Sequence, residues 1–269
     1  MKLSILLMIS FLFLSACGGS NSGSSNSSRE TPQEETSTPN PNAGKVSLWI
    51  RSGGYDAAVF LPADYGTDPN AKYPMVLSLH GFNGSVLNDD HTEVGGDRTG
   101  FIKQVWETPL AQSFPGIVIA PDVYPADRDE NRLWNHNRLK DLIKDALAVY
   151  QVDPDKITIT GHSAGSLAAQ EFALRDKDLI AGIMPGAFDT IMKVNSCSVE
   201  DLPIWAFGNS SDVIFQPASW KSFSFNIQDC PNYVGTFTLT IEENDCGHDC
   251  WDQHWERSDV QEWLVNQSN

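Results

Sequence analysis

The sequence predicts an α/β fold on a mostly parallel, doubly wound sheet, and three observations carry that prediction. Short apolar runs at 75–79, 116–120, 157–160, 180–184, 204–207 and 236–241 are bounded by Pro, Gly or polar residues, the pattern of strands buried on both faces. Segments with helical spacing alternate with them at 136–150, 164–174, 219–227 and 254–265, which implies a sheet covered by helices on both sides. About 225 residues, 45–269, have globular composition, enough for one sizeable core in one domain.

Taken in chain order, 46–51 and 55–61 read as an antiparallel hairpin joined by Ser52-Gly53-Gly54. The helix at 136–150 places Leu139, Leu142, Ile143, Ala146, Leu147 and Tyr150 on one face. Asp153-Pro154 then turns the chain into the strand at 157–160. The helix at 164–174 packs behind that strand, and the terminal helix at 254–265 turns Trp255 and Trp263 toward the sheet. No segment between strands is long enough for a large cap domain.

The first 16 residues read as an export signal: Lys2 is the positive start, and 3–14 are apolar apart from two serines. That stretch is too short for an ordinary membrane span of about 20 residues. It ends in Leu14-Ser15-Ala16-Cys17, which resembles a bacterial lipobox. Lipid chains on Cys17 would hold the protein on a membrane surface, with an ordinary secretory signal as the alternative. Residues 17–44 are rich in Ser, Asn, Gly, Thr, Pro and Glu and read as a flexible tether that cannot bury enough surface to order itself. Gly18 rather than Asp after the cysteine favours the outer membrane of a two-membrane host, so the expected location is an extracytoplasmic face of a bacterial envelope. The formal charge is −17, which opposes nucleic acid, anionic headgroups and strongly anionic substrates. A monomer is expected.

Cysteine use fits export. Apart from Cys17, the chain holds Cys197, Cys230, Cys246 and Cys250, an even number for an oxidising compartment. Three pairings exist; Cys197–Cys230 with Cys246–Cys250 is preferred, the second closing a tight loop. A zinc site from Cys246, Cys250, His248 and His254 is the rival. Asp89, Asp90, Glu93 and Asp97 read as a solvated acidic loop rather than a calcium site.

The chemistry centres on Gly161-His162-Ser163-Ala164-Gly165, directly after an apolar run. A Gly-x-Ser-x-Gly that leaves a strand and opens a helix is the nucleophile elbow of an α/β hydrolase. Alone, the pentapeptide arises by chance in roughly one chain in ten of this length, so its context matters. In that fold the order is Ser, then Asp or Glu, then His. Only His248 and His254 follow the serine. His248 lies just past the last strand, where a base loop belongs, and His254 begins the terminal helix. Asp212, in the loop after 204–207, is the candidate acid, with Asp189 the runner-up. His248 would take the Ser163 proton and Asp212 would orient the imidazole. Backbone amides of Ala164 and Phe82, the latter in His80-Gly81-Phe82-Asn83-Gly84, would form an oxyanion hole. Trp134 and Trp251 are candidates to stack on a sugar or aromatic acyl group, with core packing equally open.

His80-Gly81, Val152-Asp153-Pro154, the elbow, the Asp212 loop and Gly247-His248-Asp249-Cys250-Trp251 occur in an order that resembles the secreted α/β-hydrolase esterases. That group includes feruloyl and acetylxylan esterases, polyhydroxybutyrate depolymerases and prolyl-oligopeptidase-like hydrolases. The resemblance covers 46–265 and implies carboxylic ester hydrolysis without a metal or organic cofactor. Two departures stand out: Ser166 where many relatives carry a second glycine, and Phe207-Gly208 where many have His-Gly. An esterase acting on extracellular, carbohydrate-linked or polymeric esters is the leading expectation. A serine peptidase of the same fold and a non-catalytic envelope binding protein are the alternatives.

Overall fold

The computed structural model describes residues 40–51, 53–96, 99–123, 133–235, 237–243, 245–249 and 252–269. The export signal, Cys17, most of the tether, Asp97, Cys250 and Trp251 lie outside the described residues. Eight strands form one sheet: β1 Val46–Trp49, β2 Ala57–Phe60, β3 Tyr73–Leu79, β4 Ile117–Pro121, β5 Val152–His162, β6 Gly182–Gly186, β7 Ile204–Asn209 and β8 Phe237–Glu242. Their order is β1-β2-β4-β3-β5-β6-β7-β8. β1 pairs antiparallel with β2, and β2 antiparallel with β4. The other neighbours are parallel. The α-helices are α1 Ile102–Glu107, α2 His136–Val149, α3 Ala164–Asp176, α4 Pro217–Gln228, α5 Asp252–Glu256 and α6 Ser258–Asn266.

Alternation along the central strands divides the core into two layers. Met75, Leu77 and Leu79 of β3, with Ile117 and Ile119 of β4, face a layer built by α2, α3 and α4. Val76, Val118 and Ala120 face the opposite layer, with Ile102 and Val105 of α1 and Val260, Leu264 and Val265 of α6. Both faces of β3 and β4 are therefore largely apolar, as the continuous runs predict.

Three elements differ from the sequence reading. Asp153-Pro154 lies within β5, where pairing with β3 jumps from Tyr73↔Val152 to Met75↔Ile157. The intervening residues loop out of the ladder, which suits a proline that has no N–H to donate. β6 starts and ends two residues later than the apolar run, because its pairing with β5 continues to His162↔Gly186, beneath the elbow. The terminal segment is two helices, broken at Arg257 with φ −73° and ψ 130°. The break carries the guanidinium over Trp205 and Phe207 and onto Asp259. Both tryptophans still meet the sheet: Trp255 donates Nε1–H to Thr160 Oγ1 at 3.0 Å, and Trp263 packs edge-on against Trp205.

Among the described residues, 187–203 between β6 and β7 hold only two short 3-10 turns, and no helix is long and apolar enough to cross a membrane. Cys197 and Cys230 form a disulfide that ties this segment to the end of α4. Cys246 is disulfide-bonded as well, so it has no thiolate to offer a zinc ion.

The Cys197–Cys230 bridge spans 33 residues of sequence, and closing a loop of that size contributes about 3–4 kcal/mol through the unfolded state. Replacing both cysteines by serine should lower the unfolding free energy by about that amount in urea titrations. An unchanged midpoint would contradict it.

Candidate active site

Ser163 sits between β5 and α3 at φ 52° and ψ −114°, a backbone conformation that non-glycine residues adopt only under constraint. The constraint is packing at the two glycines of the pentapeptide. A Cβ at Gly161 would fall 2.4 Å from the Gly165 carbonyl carbon, and one at Gly165 would fall 2.3 Å from the Leu79 carbonyl oxygen. The turn closes where Ser163 N–H donates to Gly186 O at 3.0 Å. It lifts the hydroxyl off the end of the sheet.

The structure brings Ser163, His248 and Asp212 together, although they are far apart in sequence. His248 Nε2 lies 2.9 Å from Ser163 Oγ, and His248 Nδ1 lies 2.8 Å from Asp212 Oδ2. A carboxylate only accepts, so Nδ1 carries the proton and Nε2 presents its lone pair to the serine hydroxyl. The Asp212 side chain is fully buried, whereas His248 remains 24% exposed. Asp212 also accepts from Ile214 N–H at 2.8 Å, which fixes the carboxylate plane. The two loops are joined a second time where Gly247 N–H donates to Ser211 Oγ at 2.8 Å. The Phe215 ring occupies the space of any side chain at Gly208, 2.1 Å from its Cβ position, so this position of the acid loop admits only glycine.

The other candidates fall elsewhere. Asp189 accepts from its neighbour Thr190 N–H, and His248 pairs with Asp212 instead. His254 is buried against Phe207, with Nδ1 3.2 Å from Glu242. Trp134 does not reach the pocket. It is buried, donates Nε1–H to His80 O at 3.2 Å and packs edge-on against Tyr55. Asp89, Asp90 and Glu93 are exposed, and Asp90 accepts from Thr92.

A pocket of about 230 Å3 opens over Ser163. Gly81, Phe82, Asn83, Gly84, Thr99, His162 and His248 complete its lining. The turn after β3 closes where Gly84 N–H donates to Gly81 O at 3.0 Å, and His80 Nδ1–H donates to the same oxygen at 2.7 Å. Ala164 is the first residue of α3, where backbone N–H groups have no partner within the helix.

Sequence reasoning passed over two groups. Asp122, at the end of β4, is buried and accepts from Ser85 Oγ, Val86 N–H, Leu87 N–H and Val123 N–H at 2.6–2.8 Å. His80 Nε2 lies 3.2 Å from Oδ1, the oxygen that also accepts from Val123 N–H. Burial raises this carboxyl, but His80, Ser85 and the amides outweigh it and hold the acid well below the usual carboxylate range. It clamps the segment that follows the turn at 81–84. The only signal is an acid directly after a buried strand. His162 is the second group: burial pushes its imidazole down to about 3, against the hydrogen bond it makes to the His248 carbonyl.

The buried histidines give stability a direction with pH. Unfolding frees His162 to bind a proton below its ordinary value of 6.5, whereas the folded site resists protonation down to about 3. Folding stability should therefore fall as pH drops through that window, by about 2–3 kcal/mol at pH 4.5 from this group. His254, also lowered by burial, adds to the same trend. The stability that the lowered Asp122 carboxyl supplies is present above its unfolded value of 3.8 and is lost only as pH falls below it. Urea titrations at pH 7 and 4.5 should show a smaller loss in His162→Gln than in the wild type.

No protein-family model and no curated protein matches the chain. Solved structures do. A thermostable esterase aligns with a TM-score of 0.66 at 21% identity over 83% of this chain, which spans only 63% of that protein's length. A mutant feruloyl esterase module from Clostridium thermocellum, complexed with sinapinate, aligns at 0.54 and 16% identity, covering 85% of this chain and 88% of its own. An S-formylglutathione hydrolase from Agrobacterium tumefaciens aligns at 0.54 and 14% identity, covering 83% and 95%. At such identities the likeness establishes the architecture: the chain has the α/β-hydrolase fold.

Proposed function

We propose that the chain is a serine hydrolase that cleaves carboxylic esters through an acyl-enzyme. The observation that carries this reading is the unbroken relay from Ser163 Oγ through His248 to buried Asp212, with contacts of 2.9 and 2.8 Å. His248 Nε2 takes the serine proton as Oγ attacks the ester carbonyl, and Asp212 stabilises the imidazolium that forms. His248 returns the proton to the departing alcohol. It then activates the water that attacks the acyl-enzyme, which releases the acid and restores the serine. The amides of Phe82 and Ala164 are the donors for the tetrahedral oxyanion, each worth about 3–4 kcal/mol to the transition state.

Substrate and location belong to the same proposal. The pocket opens without a cap between β6 and β7, which suits bulky, carbohydrate-linked or polymeric esters. Phe82, Val213 and Ile214 expose apolar surface on the loops that carry the site, a surface for the apolar part of such a substrate. Lipidation at Cys17, with the polar stretch at 17–44 as a tether, would present the domain outside the cytoplasm, where the disulfides persist. A prolyl endopeptidase is also a structural neighbour, though this chain covers only 37% of it. Peptide cleavage is therefore the competing outcome.

A fluorophosphonate probe should label the purified protein at Ser163. Ser163→Ala should lose labelling and reduce turnover of short acyl and feruloyl esters by roughly 10^4–10^6-fold. Asp212→Asn should lose roughly 10^2–10^4-fold with little change in labelling site. An unlabelled Ser163 would end the serine-hydrolase reading, and cleavage of peptides alone would replace the esterase with a peptidase. In a bacterial host, metabolic labelling with a fatty-acid analogue should mark the wild type and not Cys17→Ser.

A further inference from the structure

We propose that His162, the second residue of the elbow, is a positioning residue that sets the base loop and the turn at 81–84 in register with the nucleophile. The inference rests on the esterase reading above. His162 ends β5, and its backbone is held by the parallel pairing to Gly186 of β6. Its Nε2 lies 3.0 Å from the His248 carbonyl oxygen. A carbonyl only accepts, so Nε2 carries the proton and the neutral ring leaves Nδ1 as a lone pair. The two imidazoles lie with centroids 4.8 Å apart at 43°. On the other side, a Cβ at Gly81 would fall 3.0 Å from His162 Nδ1, so the turn after β3 rests against the edge of the same ring. One side chain thus touches the base loop and the oxyanion turn while sitting next to the nucleophile.

The base loop needs such an anchor. It follows β8, the last strand of the sheet, and Gly247 within it sits at φ 68°. Among the described residues, two hydrogen bonds hold the backbone around His248: the Gly247 N–H on Ser211 Oγ, and the His248 C=O on His162 Nε2. The first ties the loop to the Asp212 side of the site, and the second to the Ser163 side. Without the second, the imidazole can pivot about Asp212 and drift from Oγ, and misplacement by about 1 Å can cost roughly 10^2-fold in rate. The proton on Nε2 stays in place across the working range of a histidine base, because burial keeps His162 neutral down to about 3.

The test compares His162→Phe, which keeps an aromatic ring and removes the donor, with His162→Gln, whose amide nitrogen reaches the position of Nε2. Two readouts are taken on the full chain: kcat and KM for a short acyl ester, and amide hydrogen exchange across 245–249 without substrate. The Phe variant should lose about 10–100-fold in kcat with KM within about twofold, and exchange in the base loop should quicken. The Gln variant should recover most of both. A Phe variant with wild-type kcat, or with lowered kcat and unchanged exchange, would overturn the proposal. So would a Gln variant no better than Phe. If the Phe variant does not fold, His162→Asn takes its place, since its shorter amide cannot reach the carbonyl. If wild type turns over no ester while exchange responds as expected, the esterase reading fails and the anchoring role of His162 stands on exchange alone.

Discussion

The reversal of the chain at Ser163 is the constraint on which the rest of the site depends. A left-handed residue between a strand and a helix costs on the order of 1–3 kcal/mol and persists only where its surroundings leave no alternative. Here the alternative is closed on several sides. α3 lies so close to the end of β3 that only hydrogen fits at Gly165, and β5 is paired on both edges up to the turn. The serine hydroxyl is thus exposed by packing that lies mostly beneath it, in the two apolar layers.

Around that point the molecule fixes its loops by one repeated device: a side-chain oxygen accepts from backbone N–H groups. Asp122 gathers three amides and a hydroxyl behind the turn at 81–84, Asp212 takes the Ile214 amide, and Ser211 takes the Gly247 amide. Each acceptor stands at or just beyond the carboxyl end of a parallel strand, where an open α/β sheet leaves its crevice. Amides held this way are ordered before a substrate arrives, so binding need not supply the entropy of ordering them.

Much of this was legible in the residues, and for physical reasons. A strand buried on both faces must be continuously apolar, so β3, β4, β5 and β7 announce themselves, and α2 shows its stripe through Leu139, Leu142, Ile143 and Ala146. Ser163, Asp212 and His248 could be ordered because the fold dictates which loop supplies which group. What escaped depends on partners distant in sequence. Asp122 looks like any loop acid until the amides of 86 and 87 surround it. Trp134 looked available for a ligand, but its indole N–H is taken by His80 O, and nothing local reveals that bond. α1 is six residues long with no side-chain cap, too short to leave a periodic signal. The break at Arg257 answers to the tertiary pull of Trp205 and Phe207 together with the local pair to Asp259, which outweigh the propensity of a run that reads as one helix.

The position of β8 has a consequence of its own. It is one of the two outer strands of the sheet, only half-buried along most of its length, and it delivers the loop that carries His248. Outer strands open more readily than central ones, because only one side is held by hydrogen bonds. The His248 imidazole therefore hangs from an edge strand, while Ser163 stands at the end of β5, which is paired on both sides. Warming would then loosen the first before it disturbs the second, so the geometry around Ser163 and His248 would be lost ahead of the fold and regained on cooling without refolding.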